Sequence, residues 1–390
     1  MTRLRVVGLC ALLSLSMGRS AHAQGTVSDV VGFLVTNQAV PTANPERDRE
    51  AAEAARSTIS NALLVDLTSM PLATASSGFL YRFNPQLGTV ERATQSFGAF
   101  FVERALTPGR GRASFGVSTT TAGFDQLDGR NLLDGTLITV ANRFRDESAP
   151  FDTESLTLRI RSSTMTVFGS VGVTNRVEIG VAVPFSRLTL DGQRINVYRG
   201  NTFLQASGTA AASGLGDIAV RAKVNILAVS GGGFAVAGEW RLPTGDAANL
   251  LGAGKSSVRV MGIGSIERGP VAVHGNAAMV TGGISSEYDV GSAASVAVHP
   301  RVTLSAEALV RRVAALHGID LTSAPHPTLA GVDTLRLSAG ERSVTLANAV
   351  TGLKWNVTHT VVLGGHLSWS LTHRGLTAPI TPTLAFEYAF

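Results

Sequence analysis

The stretch Pro382-Thr-Leu-Ala-Phe-Glu-Tyr-Ala-Phe390 decides how the rest of the chain is read. Leu384, Phe386, Tyr388 and Phe390 occupy every second position, with Thr383, Ala385, Glu387 and Ala389 between them. Successive side chains of a strand point to opposite faces of a sheet, so this period of two is a strand with one apolar face. The apolar face is complete to the final aromatic, where a soluble sheet would be expected to turn polar. The alternative from the tail alone is the last strand of a secreted β-sandwich.

The other end predicts export. Arg3 and Arg5 form a basic region, Val6 to Leu15 an apolar one, and Ala21-His22-Ala23 a small-x-small cleavage site. Residues 1–23 therefore read as a signal peptide cleaved after Ala23. The apolar run is shorter than the roughly 18 residues a membrane helix needs. Cleavage would remove Cys10, the single cysteine, which argues against a disulfide scaffold or a thiol nucleophile in the exported chain. Arg3, Arg5 and Arg19 are the only charges in residues 1–23, so the formal charge falls from +5 to +2 on their removal. No nucleic-acid partner is expected of a nearly neutral chain.

Residues 24–110 differ in pattern from the remainder of the chain and are expected to form a partly helical N-terminal segment, either periplasmic or a plug. Glu46, Asp48, Glu50 and Glu53 behind Pro45, followed by Ile59, Leu63, Leu64 and Leu67, predict an amphipathic helix. Val27 to Val35 predicts a shorter one. Phe79, Tyr81 and Phe83 alternate ahead of a turn at Asn84-Pro85 to Gly88.

Residues 111–390 alternate almost throughout. Val177, Ile179, Val181, Val183 and Phe185 set one face of a strand; Val220, Ala222, Val224 and Ile226 set another against Arg221, Lys223 and Asn225. Leu156, Leu158 and Ile160 alternate with Arg159 and Arg161, but the apolar parity then changes to Met165, Val167 and Val171, which predicts a bulge near Ser162-Ser163. The alternation gives about twelve strands. Short connections near 174–176, 229–233, 267–270, 299–301 and 356–359 alternate with mostly longer ones near 125–152, 187–213, 243–256, 282–287, 312–343 and 372–378. Such alternation belongs to membrane barrels, with short periplasmic turns and long external loops; a sandwich has no reason to keep it. The fold class is thus all-β, a transmembrane antiparallel β-barrel of about twelve strands, with Trp240, Trp355 and Trp369 on the apolar face near strand ends.

The polar parity then faces the lumen. The candidates are Arg159, Arg161, Glu178, Asp217, Arg221, Lys223, Glu239, Arg241, Arg259, His274, Glu307, Arg311, Lys354, His366 and Glu387. Mixed charge of this kind either lines a permeation path or makes an ion-pair network that fills the barrel; an open path would lean weakly towards anions. No catalytic set is expected. His366-Leu367-Ser368 resembles the His-x-Ser spacing of the outer-membrane phospholipase, yet both polar residues fall on the lumen parity and no third group orients them. The histidines show no metal-ligand spacing, and no cofactor loop is present.

Two resemblances extend this reading. The alternating tail ending in Phe390 resembles the C-terminal signal of bacterial outer-membrane barrels, which implies that Leu384, Phe386, Tyr388 and Phe390 are read by the barrel assembly machinery. Gly214-Leu-Gly-Asp-Ile218 with Arg221-Ala-Lys223, and Arg241-Leu-Pro-Thr-Gly-Asp246, resemble a family of outer-membrane proteins associated with the meta-cleavage pathway of phenol degradation and often called simply transporters. The resemblance covers roughly residues 110–390. It implies an integral barrel of the Gram-negative outer membrane, in contact with its lipid, that passively admits small hydrophobic or aromatic solutes. The alternatives are a closed structural or surface-interaction barrel and, further off, an outer-membrane hydrolase.

Overall fold

A computed structural model describes residues 25–35, nine positions between 46 and 65, residues 81–84 and 89–92, and residues 94–390 apart from 230, 315–318, 340–342 and 359. The signal-peptide reading of residues 1–23 lies outside the described residues, as do Asp48, Glu50, Leu63, Leu67 and Phe79.

Twelve antiparallel strands close into a barrel. They are β1 Ala113–Phe124, β2 Asp152–Gly172, β3 Val177–Tyr198, β4 Ala219–Val229, β5 Gly232–Arg241, β6 Ser257–Arg268, β7 Val271–Gly282, β8 Glu287–His299, β9 Val302–Val313, β10 Val344–Thr358, β11 Val361–Ser370 and β12 Ile380–Ala389. Each pairs with its neighbours in sequence, and β12 returns to β1. Closure follows from the outer surface. Val181, Val224, Val260, Val273, Leu304, Leu363 and Phe386 are each at least 40 % exposed and form an apolar belt. Hydrocarbon offers no partner for a strand edge, so a sheet with such a surface has to close. Among the described residues, no helix is long and apolar enough to cross a membrane.

The connections after β2, β4, β6, β8 and β10 are short and mark the periplasmic end; most of the others carry additional strands at the external end. The pair Trp240 and Trp369 stands at the external end, and Trp355 joins Phe115, Phe234, Tyr388 and Phe390 at the periplasmic one, with Tyr388 directly across from Phe115. Leu384, Phe386, Tyr388 and Phe390 all lie on the outer face, 40–72 % exposed.

β2 and β3 are 21 and 22 residues long and outrun the barrel. Their external halves carry a sheet extension. Leu137–Phe144 pairs with β2, the hairpin Ile319–Pro325 and Val332–Ala339 joins that strand, and Asn201–Leu215 pairs with β3. The expected loop at 187–213 is therefore corrected to two strands. In Asn201–Leu215 the core-facing residues are small, Ala206, Gly208 and Ala210, because α1 packs against them, and this hid the pairing.

The expected bulge at Ser162-Ser163 is also absent. β2 keeps one unbroken register against β1, from Ala113↔Val171 to Phe124↔Ile160, and against β3 from Asp152↔Tyr198 to Gly172↔Glu178. What changes is the surroundings. Below Ser163 the outward residues Met165 and Val171 meet the apolar belt; above it the inward residues Leu156, Leu158 and Ile160 are buried in a core, and the outward ones are Arg159 and Arg161, both exposed. The assignment of Arg159 and Arg161 to the lumen is corrected accordingly.

That core closes the external mouth. The helix α1, Val27–Val35, buries Val27, Val31, Leu34 and Val35 against Leu156, Leu158, Ile160, Leu188 and Leu190. Each such side chain contributes about 1.5–3 kcal/mol when fully buried. Thr26 and Asp29 cap the helix reciprocally, through Asp29 N to Thr26 Oγ1 at 3.2 Å and Thr26 N to Asp29 Oδ2 at 2.8 Å. The described positions between 46 and 65 are helical, and Ile59 and Leu64 join the same core. Tyr81–Asn84 and Thr89–Arg92 form a hairpin.

The seam between β12 and β1 is interrupted. Rungs run from Ala389↔Ser114 to Thr383↔Thr120, and resume at Thr377↔Gln126 and Leu376↔Leu127 in the same register. Between them residues 378–382 and 121–125 do not pair with each other across this seam. Phe390 N donates to Ala113 O at 2.9 Å, so even-numbered amides of β12 face β1. Pro382 is the next even position above Leu384 and has no N–H to give.

Substituting Val181→Arg at the middle of the belt is expected to lower stability by about 2–4 kcal/mol, measured by reversible denaturant unfolding in lipid vesicles.

Candidate functional site

The lumen is occupied from the periplasmic side by residues 94–107, which enter, turn at Phe100–Glu103 and return to β1. The chain has no regular structure in this stretch, so its amides take partners from the barrel wall. Glu307 on β9 accepts three of them, from Phe100, Phe101 and Val102 at 2.6, 2.9 and 2.8 Å. Lys354 on β10 donates to Ala99 O at 2.9 Å, and its ammonium lies 4.5 Å from the centre of the Phe100 ring. Thr303 Oγ1 accepts from Phe97 N at 3.0 Å, and Ser265 Oγ from Ala105 N at 2.8 Å. Arg104 closes the base by donating to Thr94 Oγ1 and Ser96 O at 2.9 and 3.2 Å. The Phe100 ring lies where a Cβ on Gly352 would sit, so two wall positions without side chains, Gly352 and Gly364, make room for it.

Most of the remaining lumen charges are paired. Lys223 meets Glu178 at 2.8 Å, Arg241 meets Glu239 at 2.8 Å, Arg259 meets Asp289 at 2.7 Å and Arg311 meets Glu287 at 2.9 Å. Arg221 bonds Glu103 at the loop tip. His274 Nδ1 lies 3.0 Å from Ser265 Oγ, and Glu387 is buried in the wall of β12. These contacts make a filled interior with little free charge for selectivity. Phe97, Phe100, Phe101, Glu103 and Arg104 were missed as site residues; the signal was the run Phe97-Gly-Ala-Phe-Phe-Val102, apolar yet without strand or helix period.

Asp217 has a different task. It accepts from Gly245 N at 3.0 Å and Ala253 N at 2.7 Å, while Thr244 Oγ1 donates to Gly216 O at 2.8 Å. The segments Gly214–Ile218 and Arg241–Asp246 thus clamp each other at the external rim. The loop they hold carries α1: Ala248 O accepts from Ser28 N at 3.1 Å and Asn249 Oδ1 from Val27 N at 3.2 Å. Asp246, hydrogen-bonded foremost by the Asn249 side chain, keeps its carboxyl below the ordinary value.

Above the loop tip is a cavity of about 160 Å³. Ser118, Thr120, Ser162, Thr164, Thr166, Ser368, Ser370, Thr381 and Thr383 line it with hydroxyls, and Phe101, Ala122, Phe124 and Leu346 give it an apolar side. His366 enters between the rings of Phe100 and Phe101, at 4.4 and 5.0 Å, and neither of its ring nitrogens has a hydrogen-bond partner among the described residues. No hydrogen bond joins His366 to Ser368, so the pair lacks the geometry of a nucleophile and its base. Across the tip a smaller space of about 40 Å³ is bordered by Glu239, Arg259, Asp289 and Arg311.

No protein-family model matches the chain, and no curated protein does. Solved structures are similar in fold. An outer membrane channel from Pseudomonas putida F1 aligns with a TM-score of 0.47 and 14 % identity over 73 % of this chain and 98 % of that one. The toluene transporter TodX of P. putida aligns at 0.37 and 8 % over 76 % and 99 %, and the toluene transporter TbuX of Ralstonia pickettii at 0.28 and 12 % over 72 % and 90 %. All three are barrels of transporters or channels; identity this low says nothing of what the present chain carries.

Replacing Glu307 by Ala strands three loop amides, each net bond being worth about 0.5–1.5 kcal/mol. Maleimide labelling of an Ala99→Cys reporter is expected to quicken roughly 10- to 1000-fold, since 1.4 kcal/mol is about tenfold. Equal rates would mean that Glu307 does not hold the loop.

Proposed function

We propose that the chain is an integral barrel of the Gram-negative outer membrane that passively admits small, weakly polar molecules, aromatic ones among them. The observation that carries this reading is the hydroxyl-and-phenylalanine cavity, whose 160 Å³ is of the size, about 150 Å³, that takes a benzene ring in a protein interior. Two arginines also border it: Arg311 is paired with Glu287, and Arg374 stands on the external connection at its edge, which leaves the hydroxyls and rings to meet a neutral solute. Axial passage is closed below by residues 94–107 and above by the α1 core. The remaining way out is sideways, where Ala122, Phe124, Ala378 and Thr381 border the cavity beside the interrupted seam. The resemblance to the phenol-degradation family supports the same solute class. Export through a signal peptide cleaved after Ala23, and recognition of Leu384, Phe386, Tyr388 and Phe390 by the assembly machinery, complete the proposal.

A second reading, a closed structural or surface-interaction barrel, is favoured by the filled lumen itself.

Uptake of labelled phenol into cells with a lipopolysaccharide outer leaflet separates the two. Expression of the chain is expected to raise influx, and Pro382→Val, which restores the missing donor toward Thr121, to reduce it several-fold. No gain in influx on expression, together with no conductance in planar bilayers after deleting residues 24–105, would establish the closed barrel.

A further inference from the structure

The two arginines that leave the lumen are part of an external patch with a third. On β2 the outward residues run Val171, Gly169, Val167 and Met165, then Ser163, Arg161 and Arg159; on β3 they run Ile179, Val181, Val183 and Phe185, then Arg187, Thr189 and Asp191. Both strands thus pass from the apolar belt directly to arginine. From Val171 to Ser163 is eight residues, which at about 3.3 Å each and the usual tilt is about 20 Å of height, most of the apolar band of about 25 Å. The guanidinium groups therefore emerge at the surface of the outer leaflet.

Arg161 lies opposite Thr189 and Ser163 opposite Arg187, so Arg161 and Arg187 are diagonal neighbours roughly 7–8 Å apart at their backbones. Arg159 follows Arg161 on the same face, opposite Asp191. All three arginines are exposed, and no carboxylate of a described residue is within the 4.0 Å of an ion pair. Asp191, opposite Arg159 and diagonal to Arg161, is one carboxylate against three guanidinium groups, so the patch keeps a net positive charge centred on Arg161 and Arg187. Two forked donors at this spacing suit one phosphate, which takes guanidinium bidentately. Nearby, Ser163 and Thr189 offer hydroxyls, and Met165 and Phe185 offer an apolar floor for acyl chains.

We propose that Arg161 and Arg187, with Arg159 above them, bind a phosphate of the glycolipid of the outer leaflet, the phosphorylated headgroup of lipid A, with its chains along Met165 and Phe185. The site is an anchor for one lipopolysaccharide molecule against β2 and β3. It rests on the outer-membrane placement proposed above and is independent of any solute route.

The full mature chain in detergent micelles, titrated with bisphosphorylated lipid A and read by native mass spectrometry, tests this. R161Q/R187Q is expected to weaken binding at least tenfold, and the wild-type chain to bind dephosphorylated lipid A at least tenfold more weakly than the phosphorylated form. Folding of the variant is checked by the heat-dependent gel shift of barrels; if it does not fold, the two lipids on the wild-type chain decide. Equal binding by R161Q/R187Q, equal binding of dephosphorylated lipid A, or displacement of lipid A by inorganic phosphate at equal concentration would each overturn the proposal. Loss of phenol uptake with lipid A binding intact would fall on the transport reading alone.

Discussion

A peptide group in hydrocarbon has no water to bond, and the whole molecule is arranged around that constraint. It forces β12 back onto β1, so the last strand and the first complete one another through Phe390 and Ala113. Within the apolar belt it puts most of the bulky residues outward and the charges inward. It also gives the break above Thr383 its meaning. There the outward chain positions of β1 are Thr121 and Gly123, and Pro382 withdraws a donor that any other residue would supply. The unpaired rungs lie at the edge of the apolar belt, where water and lipid headgroups can bond what the ladder does not.

Closing twelve strands creates a second problem, since about eight strands enclose only the width that side chains can fill. The interior has therefore been filled with chain. Residues 94–107 occupy the periplasmic half and α1 the external mouth. Buried charges are costly unless their bonds are complete, and the loop helps to complete them: Glu307 takes three amides, Arg221 takes Glu103, and Lys354 takes a carbonyl and a ring face. Loop and wall each satisfy groups that the other would leave buried and alone.

Legibility in the sequence tracked the physics closely. Strand β12, the twelve-strand count and the helix Val27–Val35 were readable because a period of two or of 3.6 is imposed by burial on one face. The strand Asn201–Leu215 was not, because its core-facing residues, Ala206, Gly208 and Ala210, are small where α1 packs against them and leave no bulky period of two. The loop at 94–107 escaped because an extended chain inside a lumen is surrounded on all sides and shows no period; its three phenylalanines, Phe97, Phe100 and Phe101, were the trace it left. Asp217 was misjudged as a pore residue because parity gives a face and not a height, and at the rim the inward face meets a loop.

Height is what the misread parity of β2 supplies. A strand longer than the bilayer is thick has its apolar side outward within the membrane and inward above it, so the change between Met165 and Ile160 marks the outer surface of the bilayer. The register carries that mark to the neighbouring strands: Ser162 lies opposite Ala122 on β1 and Leu188 on β3. One strand further, extending the β1–β12 register past Thr383↔Thr120 sets Ala122 against Thr381. The arginines of β2 and β3 and the unpaired rungs beside Pro382 are therefore tied by one register across strands two or three apart; with strands tilted about 40° a rung shifts about 3 Å in height per strand, so the two lie within about 10 Å of one level. A molecule that left the cavity by the seam would emerge within that distance of the headgroups. The same inversion that cost two lumen assignments gives the vertical coordinate on which that exit depends.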